Sequence, residues 1–298
     1  MVTPNKPKLT AEPSNKIRRN PRIPEGINTS REHPLKEFLV LVVGVLGALI
    51  LLVVLLSVFA KYASPYFPLE WEPNISFEEP LSDTNLPAQE SLQDILNKLT
   101  PNSIAPDIQY KIHLINSEVA NAFATLGGNM FINSGLLSHI ESENGLAMVI
   151  AHEMAHVQLR HPIQALSRTA LYQLVTTLVL GDSSIATFAG QAGNLTLLSF
   201  NRDMERDADQ AAINILIATY GHGKGADEFF KSMLEEDRGL EFFNTHPDVD
   251  KRIEFLSSDS HNDSSNSTQK TTQLSAALLK LKLELSVPIP AETTSIIN

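Results

Sequence analysis

The chain has no cysteine in its 298 residues. That excludes a disulfide framework, thiolate metal ligands and a cysteine nucleophile. Basic residues are in deficit, with 23 Lys and Arg against 34 Asp and Glu and a formal net charge of −11. They are also unevenly spread. Residues 1–37 hold eight Lys/Arg against four Asp/Glu, a net of +4, so the rest of the chain carries −15. An acidic main body lacks the basic patch that nucleic-acid binding needs, and no nucleic-acid partner is expected. Long apolar runs are scarce as well. Phe38 to Ala60 is the single clear one, with 23 uncharged residues.

At about 1.5 Å per residue that run is roughly 34 Å long, enough to cross a hydrocarbon core of about 30 Å. A buried core helix is a poor fit to so long an unbroken stretch. A cleaved signal peptide is the stronger rival, with Val58 and Ala60 at a small-residue site. Signal cores are shorter, about 7–15 residues, so the reading is an uncleaved anchor. Arg18, Arg19, Arg22, Arg31 and Lys36 precede the run, whereas Glu70, Glu72, Glu78 and Glu79 follow it. The positive-inside rule then places the N-terminus in the cytoplasm and the main domain outside the cell's inner membrane, in the periplasm of a Gram-negative cell. Pro4, Pro7, Pro13 and Pro21 oppose the amphipathic helix of a mitochondrial presequence.

The division expected is a disordered cytoplasmic tail over 1–37, a transmembrane helix over 38–60 and a linker over 61–88 marked by Pro65, Pro68, Pro73 and Pro80. A folded domain over 89–256 and a flexible tail over 257–298 with a short apolar segment complete it. Within the domain, a helix starts near Gln89, and Tyr110–Ile115 alternates as a strand. Asn121–Thr125 and Asn129–Ile132 flank Gly127-Gly128 as a hairpin. Ser134 caps a short helix. Glu143–Arg160, Asp203–Tyr220 and Asp227–Glu236 read as helices, and Pro162 marks a stop or bend. Residues 163–200 read as apolar helices interrupted by Gly181, Asp182, Gly190 and Gly193. Residues 274–287 leave helix and strand open.

The chemistry lies in His152-Glu153-Met154-Ala155-His156, an H-E-x-x-H pattern inside a predicted helix. Residues i and i+4 share a helix face, so both imidazoles reach one ion, and Glu153 beside them reaches a water that the ion activates. The rival reading is a surface helix with a chance His pair. Apolar flanks (Met148, Val149, Ile150, Ala151, Val157) oppose it, because two His and a Glu are not buried without a partner. One zinc ion per subunit is the partner expected. A third ligand must come from elsewhere. Glu205 is the candidate, 49 residues beyond His156, with Asp209 one turn on to accept the second N–H of a ligand histidine. On spacing alone, a solvated charged helix face is the better explanation of Glu205 and Asp209.

Four ordered segments resemble metallopeptidase family forty-eight, the group of HtpX, OMA-type and CAAX prenyl endopeptidases. They are Asn121-Ala122-Phe123-Ala124 with Gly127-Gly128 and Phe131-Ile132; Ala151 to His161; Arg202-Asp203-Met204-Glu205 through Ala208-Asp209; and Thr245-His246-Pro247-Asp248 with Arg252-Ile253. The likeness spans roughly Ser103 to Leu256. It implies an α+β, mainly helical, gluzincin-like zinc metallopeptidase domain with a small β-sheet or hairpin edge, joined to one N-terminal transmembrane helix. It implies Glu205 as third ligand and a substrate-pairing strand at Asn121, Ala122 and Phe123. HtpX-type members cross the membrane several times and work on the cytoplasmic side. With one clear span, this chain looks closer to periplasmic members.

The expected reaction is peptide-bond hydrolysis, with Glu153 as general base and acid and His246 as the oxyanion donor. His246 has two rival readings, a loop residue without a role and an inhibitory occupant of the fourth metal position. The remaining histidines, His161 included, read as structural or solvated. The expected substrates are unfolded or extended proteins of the cell envelope, cut for quality control. Maturation of one dedicated substrate is a narrower alternative, and a chaperone-like or adaptor protein with structural zinc is the alternative from another class.

Overall fold

The computed structural model describes residues 34–66, 68, 72, 85–180, 200–236, 242, 246–262 and 270–286. The polar segment before residue 34, Pro73 and Pro80, the glutamates at 70, 78 and 79, the glycine-interrupted stretch 181–199, Thr245 and the residues after 286 lie outside them. The chain divides at Ala48/Leu49 into two compact units.

Helix α1 runs over Pro34–Ala63, 30 residues, longer at both ends than the apolar run that identifies it. Residues 34–37, expected in the polar tail, are therefore helical. Pro34 is tolerated in a first turn because its missing N–H has no intrahelical partner there. Among the described residues α1 is the one helix long and apolar enough to cross a membrane. Beyond it, Ser64–Tyr66 forms a short 3₁₀ turn.

The second unit is mainly helical around a three-stranded sheet, as expected for an α+β domain. Helix α2 spans Leu86–Leu99 and buries Ala88, Leu92, Ile95, Leu96 and Leu99. It begins three residues before the expected Gln89, because Pro87 suits the first turn as Pro34 does. Strands β1 (Lys111–Ile115), β2 (Ala122–Ala124) and β3 (Asn129–Asn133) lie in the order β1-β3-β2. β1 runs parallel to β3, with Ile112 opposite Met130. β2 returns antiparallel, with Phe123 opposite Phe131. The turn between β2 and β3 puts Gly127 and Gly128 at φ 73° and 77°. A Cβ on Gly128 would stand 2.8 Å from the Gln109 carbonyl oxygen, so the hairpin needs glycine there.

Helix α3 (Glu143–Gln158) is buried all round, from Glu143 to Val157. It is a central helix, not one with a single apolar face. Its start is capped twice. The Ser142 side chain accepts from the Gly145 N–H at 3.0 Å, and the Glu228 carboxylate accepts from the Ser142 N–H at 2.8 Å. The helix ends where Arg160 takes a left-handed φ of 60°. Helix α4 (His161–Leu180) then starts in a new direction with Pro162 in its first turn.

Helix α5 (Arg202–Tyr220) packs along α3. The Asn201 side chain caps it, accepting from the Met204 N–H at 2.9 Å, and Gly221 ends it at φ 79°. Its buried face carries Glu205, Ala208, Asp209, Ala212 and Leu216, so two acids share the stripe that packs on the core. Helices α6 (Glu228–Glu236) and α7 (Val249–Asn262) close that side.

The chain beyond Ser257 differs from the flexible tail expected. Helix α7 continues through Asn262, and helix α8 (Ala276–Ser286) seats Leu278 and Leu281 in the main core, with Leu274 just ahead of it. Gln273 pairs with Ser142 as a β-bridge, and the Glu143 N–H donates to the Thr272 carbonyl at 2.8 Å. Burial of such leucines stabilises by about 1.5–3 kcal/mol each, which outweighs the Ser/Asn-rich composition that precedes them. The expected linker is likewise anchored at Glu72. The Gly127 N–H donates to Glu72 Oε2 at 2.6 Å, and Arg160 Nη2 lies 2.7 Å from Glu72 Oε1.

Candidate metal centre

α3 and α5 lie side by side, and their facing sides carry the titratable groups. His152, Glu153 and His156 come from α3, Glu205 and Asp209 from α5, His246 from the segment before α7, and Arg252 from α7. All are buried. His152 Nε2 and His156 Nε2 stand 2.9 Å apart. Glu205 reaches both, with Oε2 3.5 Å from His152 Nε2 and Oε1 3.5 Å from His156 Nε2. His246 Nδ1 lies 3.2 Å from each Glu205 oxygen. One ligand atom from each of His152, His156, Glu205 and His246 lies within 4.8 Å of all the others.

Each ring is oriented from behind. His152 Nδ1 is 3.0 Å from Asp209 Oδ1, so its Nδ1–H donates to that carboxylate and Nε2 is left as a lone pair. His156 Nδ1 faces His161 Nδ1 at 2.9 Å. Phe200 stacks on the His156 ring at 3.9 Å, and Phe242 stacks on the His246 ring at 4.5 Å. Arg252 clamps the two acids of α5. Its Nε and Nη2 each donate to an Asp209 oxygen at 2.7 Å. Its Nη1 lies 2.7 Å from Glu205 Oε2, an ion pair and not an aligned hydrogen bond.

The electrostatics fit a divalent cation. Two imidazole lone pairs pointed at each other across 2.9 Å, with a carboxylate beside them, repel unless a positive charge lies between them. Three buried carboxylates, those of Glu153, Glu205 and Asp209, face one guanidinium, that of Arg252. With neutral imidazoles, the surplus is the charge of one divalent ion. Without an ion, a proton must fill the gap. Burial and the Arg252 charge push His152 down, but its bonds to Asp209 and Glu205 prevail and raise it to about 9. Burial and the charge of His152 hold His156 well below its ordinary value. Burial raises Glu205, yet His246 and Arg252 outweigh it and keep the carboxyl well below the usual range. Two nitrogens and a carboxylate oxygen around one point match the donor chemistry of zinc.

Glu153 sits beside this group. Burial pushes its carboxyl up, against the lowering influence of His246 and His152. Neither of its oxygens has a hydrogen-bond partner among the described residues, and His246 Nε2 is unpaired too. These two groups face each other at 3.8 Å. A buried carboxylate without a hydrogen-bond partner is costly, which makes Glu153 a candidate for chemistry.

All the residues expected at the site except the strand converge at this point. Asn121, Ala122 and Phe123 lie on the sheet edge. β2 packs against α3, and among the described residues no strand pairs with its other side. Asn121 Oδ1 is buried without a partner, and Phe123 stacks on Phe131 at 5.0 Å. Sequence reasoning gave Arg252 no role and took His161 for a structural or solvated residue. The signal for Arg252 was the pair of acids at Glu205 and Asp209, one more than three-ligand zinc needs. His161 could not be found by helix spacing, because the turn at Arg160 breaks the helix between it and His156.

Comparison with known proteins agrees with this geometry. The model of peptidase family M48 matches residues 87–260, more than half of the chain. The chain belongs to peptidase family M48. The matched segment of this M48 protein starts in α2 and ends in α7, so it includes every residue of the cluster. Among curated relatives, the beta-barrel assembly-enhancing protease of Yersinia pestis is 30% identical over 173 residues, 53% of this chain and 36% of that protein. The mitochondrial metalloendopeptidase OMA1 of Saccharomyces cerevisiae is 31% identical over 171 residues, 52% and 48% of the two chains. OMA1 of Schizosaccharomyces pombe is 29% identical over 168 residues, 53% and 49%. The chain spans half or less of the length of these relatives.

Proposed function

We propose that this M48 protein is a membrane-anchored zinc endopeptidase that cuts unfolded or extended envelope proteins. The observation that carries the reading is the convergence of two imidazole nitrogens and a carboxylate, with the unpaired carboxylate of Glu153 beside them. His152, His156 and Glu205 would hold the metal. Bound there, zinc would supply Lewis acidity, which polarises a scissile carbonyl and lowers the pKa of a water into the neutral range. Glu153 Oε1 or Oε2 takes a proton from the attacking water and returns it to the leaving amine. Proton transfer of this kind contributes about 10² to 10⁴ in rate. Its raised carboxyl suits both halves of that task. Asp209 fixes the His152 tautomer, and Arg252 holds Asp209 and Glu205 in place.

The edge of β2 that no described strand pairs, at Ala122 and Phe123, would pair with the backbone of an extended substrate. Backbone pairing gives affinity without strict sequence preference, which suits misfolded clients. With α1 across the inner membrane and the N-terminus cytoplasmic, the catalytic domain works in the periplasm. The relatives named as assembly-enhancing protease and metalloendopeptidase support this reading.

His246 is proposed to donate from Nε2 to the oxyanion. Its place inside the donor group favours a second reading, in which it closes the fourth metal position and holds the enzyme inactive. His246→Ala separates them. Proteolysis falls about 10²- to 10³-fold on the first reading and rises on the second.

The test of the whole assignment is Glu153→Gln in the full chain, with casein cleavage and zinc content measured together. The expected variant is inactive and retains its zinc. Cleavage that persists with zinc content unchanged removes Glu153 from the base role. Cleavage by the wild type that survives metal chelation removes the metallopeptidase reading.

A further inference from the structure

His156 can offer Nε2 to a metal only if its proton sits on Nδ1. For His152 that tautomer is set by a carboxylate, the usual device. Among the described residues, no carboxylate stands behind the His156 ring. The group there is another neutral-capable imidazole, His161, whose Nδ1 lies 2.9 Å from His156 Nδ1. Two N–H groups cannot face each other at that distance, so one ring must accept. If His156 donates, His161 must be the tautomer that carries its proton on Nε2. We infer that His161 is a positioning residue, a hydrogen-bond acceptor that fixes His156 in its metal-binding tautomer. The inference rests on the zinc reading above.

The local fold supports it. His161 is buried and is the first residue of α4. In a continuous helix it would point about 140° away from His156. The left-handed turn at Arg160, φ 60°, swings it back onto the ring. That turn is held by the Arg160 side chain, which pairs with Glu72 and donates from Nε to the Ser64 carbonyl at 3.4 Å. Phe200 stacks on the face of the His156 ring at 3.9 Å and fixes the ring plane without choosing a tautomer. Phe200 thus sets orientation and His161 sets the proton.

The test is zinc affinity of the full-length protein, measured by competition with a chromophoric chelator, with thermal unfolding of the metal-free forms as a control. His161→Asn puts an amide oxygen where Nδ1 stands and keeps the acceptor. It should bind zinc within about threefold of wild type, whereas His161→Leu should bind about 10- to 100-fold more weakly. His161→Asp keeps an acceptor of greater strength and should bind at least as tightly as His161→Asn, which decides the matter if the leucine variant does not fold. Equal losses in the asparagine and leucine variants overturn the inference, because the role would then be one of shape. Wild-type affinity in the leucine variant overturns it too. A wild type with no measurable zinc affinity sinks the metal reading itself and this inference with it, a result distinct from either of the others.

Discussion

Replacing Arg252 by Met tests the charge architecture of the centre. The guanidinium is buried, bonds Asp209 bidentately at 2.7 Å, pairs with Glu205 at 2.7 Å and lies 4.5 Å from the Phe230 ring centroid. Met retains most of the side-chain stem, so the change is chiefly one of charge. Asp209 keeps one partner, His152 Nδ1, and Glu205 keeps His246 Nδ1. Breaking a buried pair from one side costs about 3–5 kcal/mol. For a domain of this size each kcal/mol moves Tm by about 2–4 °C, so the metal-free protein should melt roughly 6–20 °C lower. Zinc should recover part of that drop, because it neutralises Glu205 and binds only the folded state. The double variant Arg252→Met/Asp209→Asn removes the stranded charge and should melt higher than Arg252→Met alone. The assay is thermal unfolding by circular dichroism at fixed protein concentration, with and without chelator. A fall of less than about 3 °C, or strict additivity of the two substitutions, would refute the clamp.

Leu278→Ala, in the expected tail, should cost about 2–5 kcal/mol in urea unfolding; no change would mean that α8 does not belong to the core. Ser142→Ala removes the cap of α3 and a partner of Glu228, and should lower stability by about 0.5–2 kcal/mol in the same assay. Gly135→Ala would drive a Cβ into the Glu118 carbonyl oxygen, so the variant should melt well below wild type; an unchanged Tm would contradict the packing of that turn. A phosphatase fused after Ser286 should be active if the domain is periplasmic, and a cytoplasmic-only reporter signal would reverse the orientation.

The legible parts of the site were those written in short-range spacing. His152 and His156 share a face because an α-helix repeats every 3.6 residues, and Glu205 and Asp209 share one for the same reason. The apolar run of α1 was legible because a membrane demands unbroken length. What stayed hidden depended on backbone turns and on partners distant in sequence. The reversal at Arg160 moved His161 from a helix flank to the back of His156. The docking of α8 was masked by a polar stretch whose composition suggested a tether, while three leucines beyond it decided the outcome.

By itself, the order of residues determined which side chains were available and which neighbours on one helix face could act together. It set an apolar span, a glycine hairpin and an H-E-x-x-H helix. Only the tertiary structure decided that α3 and α5 lie side by side, so that a carboxylate 49 residues beyond His156 comes 3.5 Å from both imidazoles. It alone drew Arg252 onto two acids and left Glu153 without a hydrogen-bond partner among the described residues. The reason is that helix periodicity acts over a turn or two, whereas the convergence of charges across helices is imposed by packing of the apolar faces that carry them.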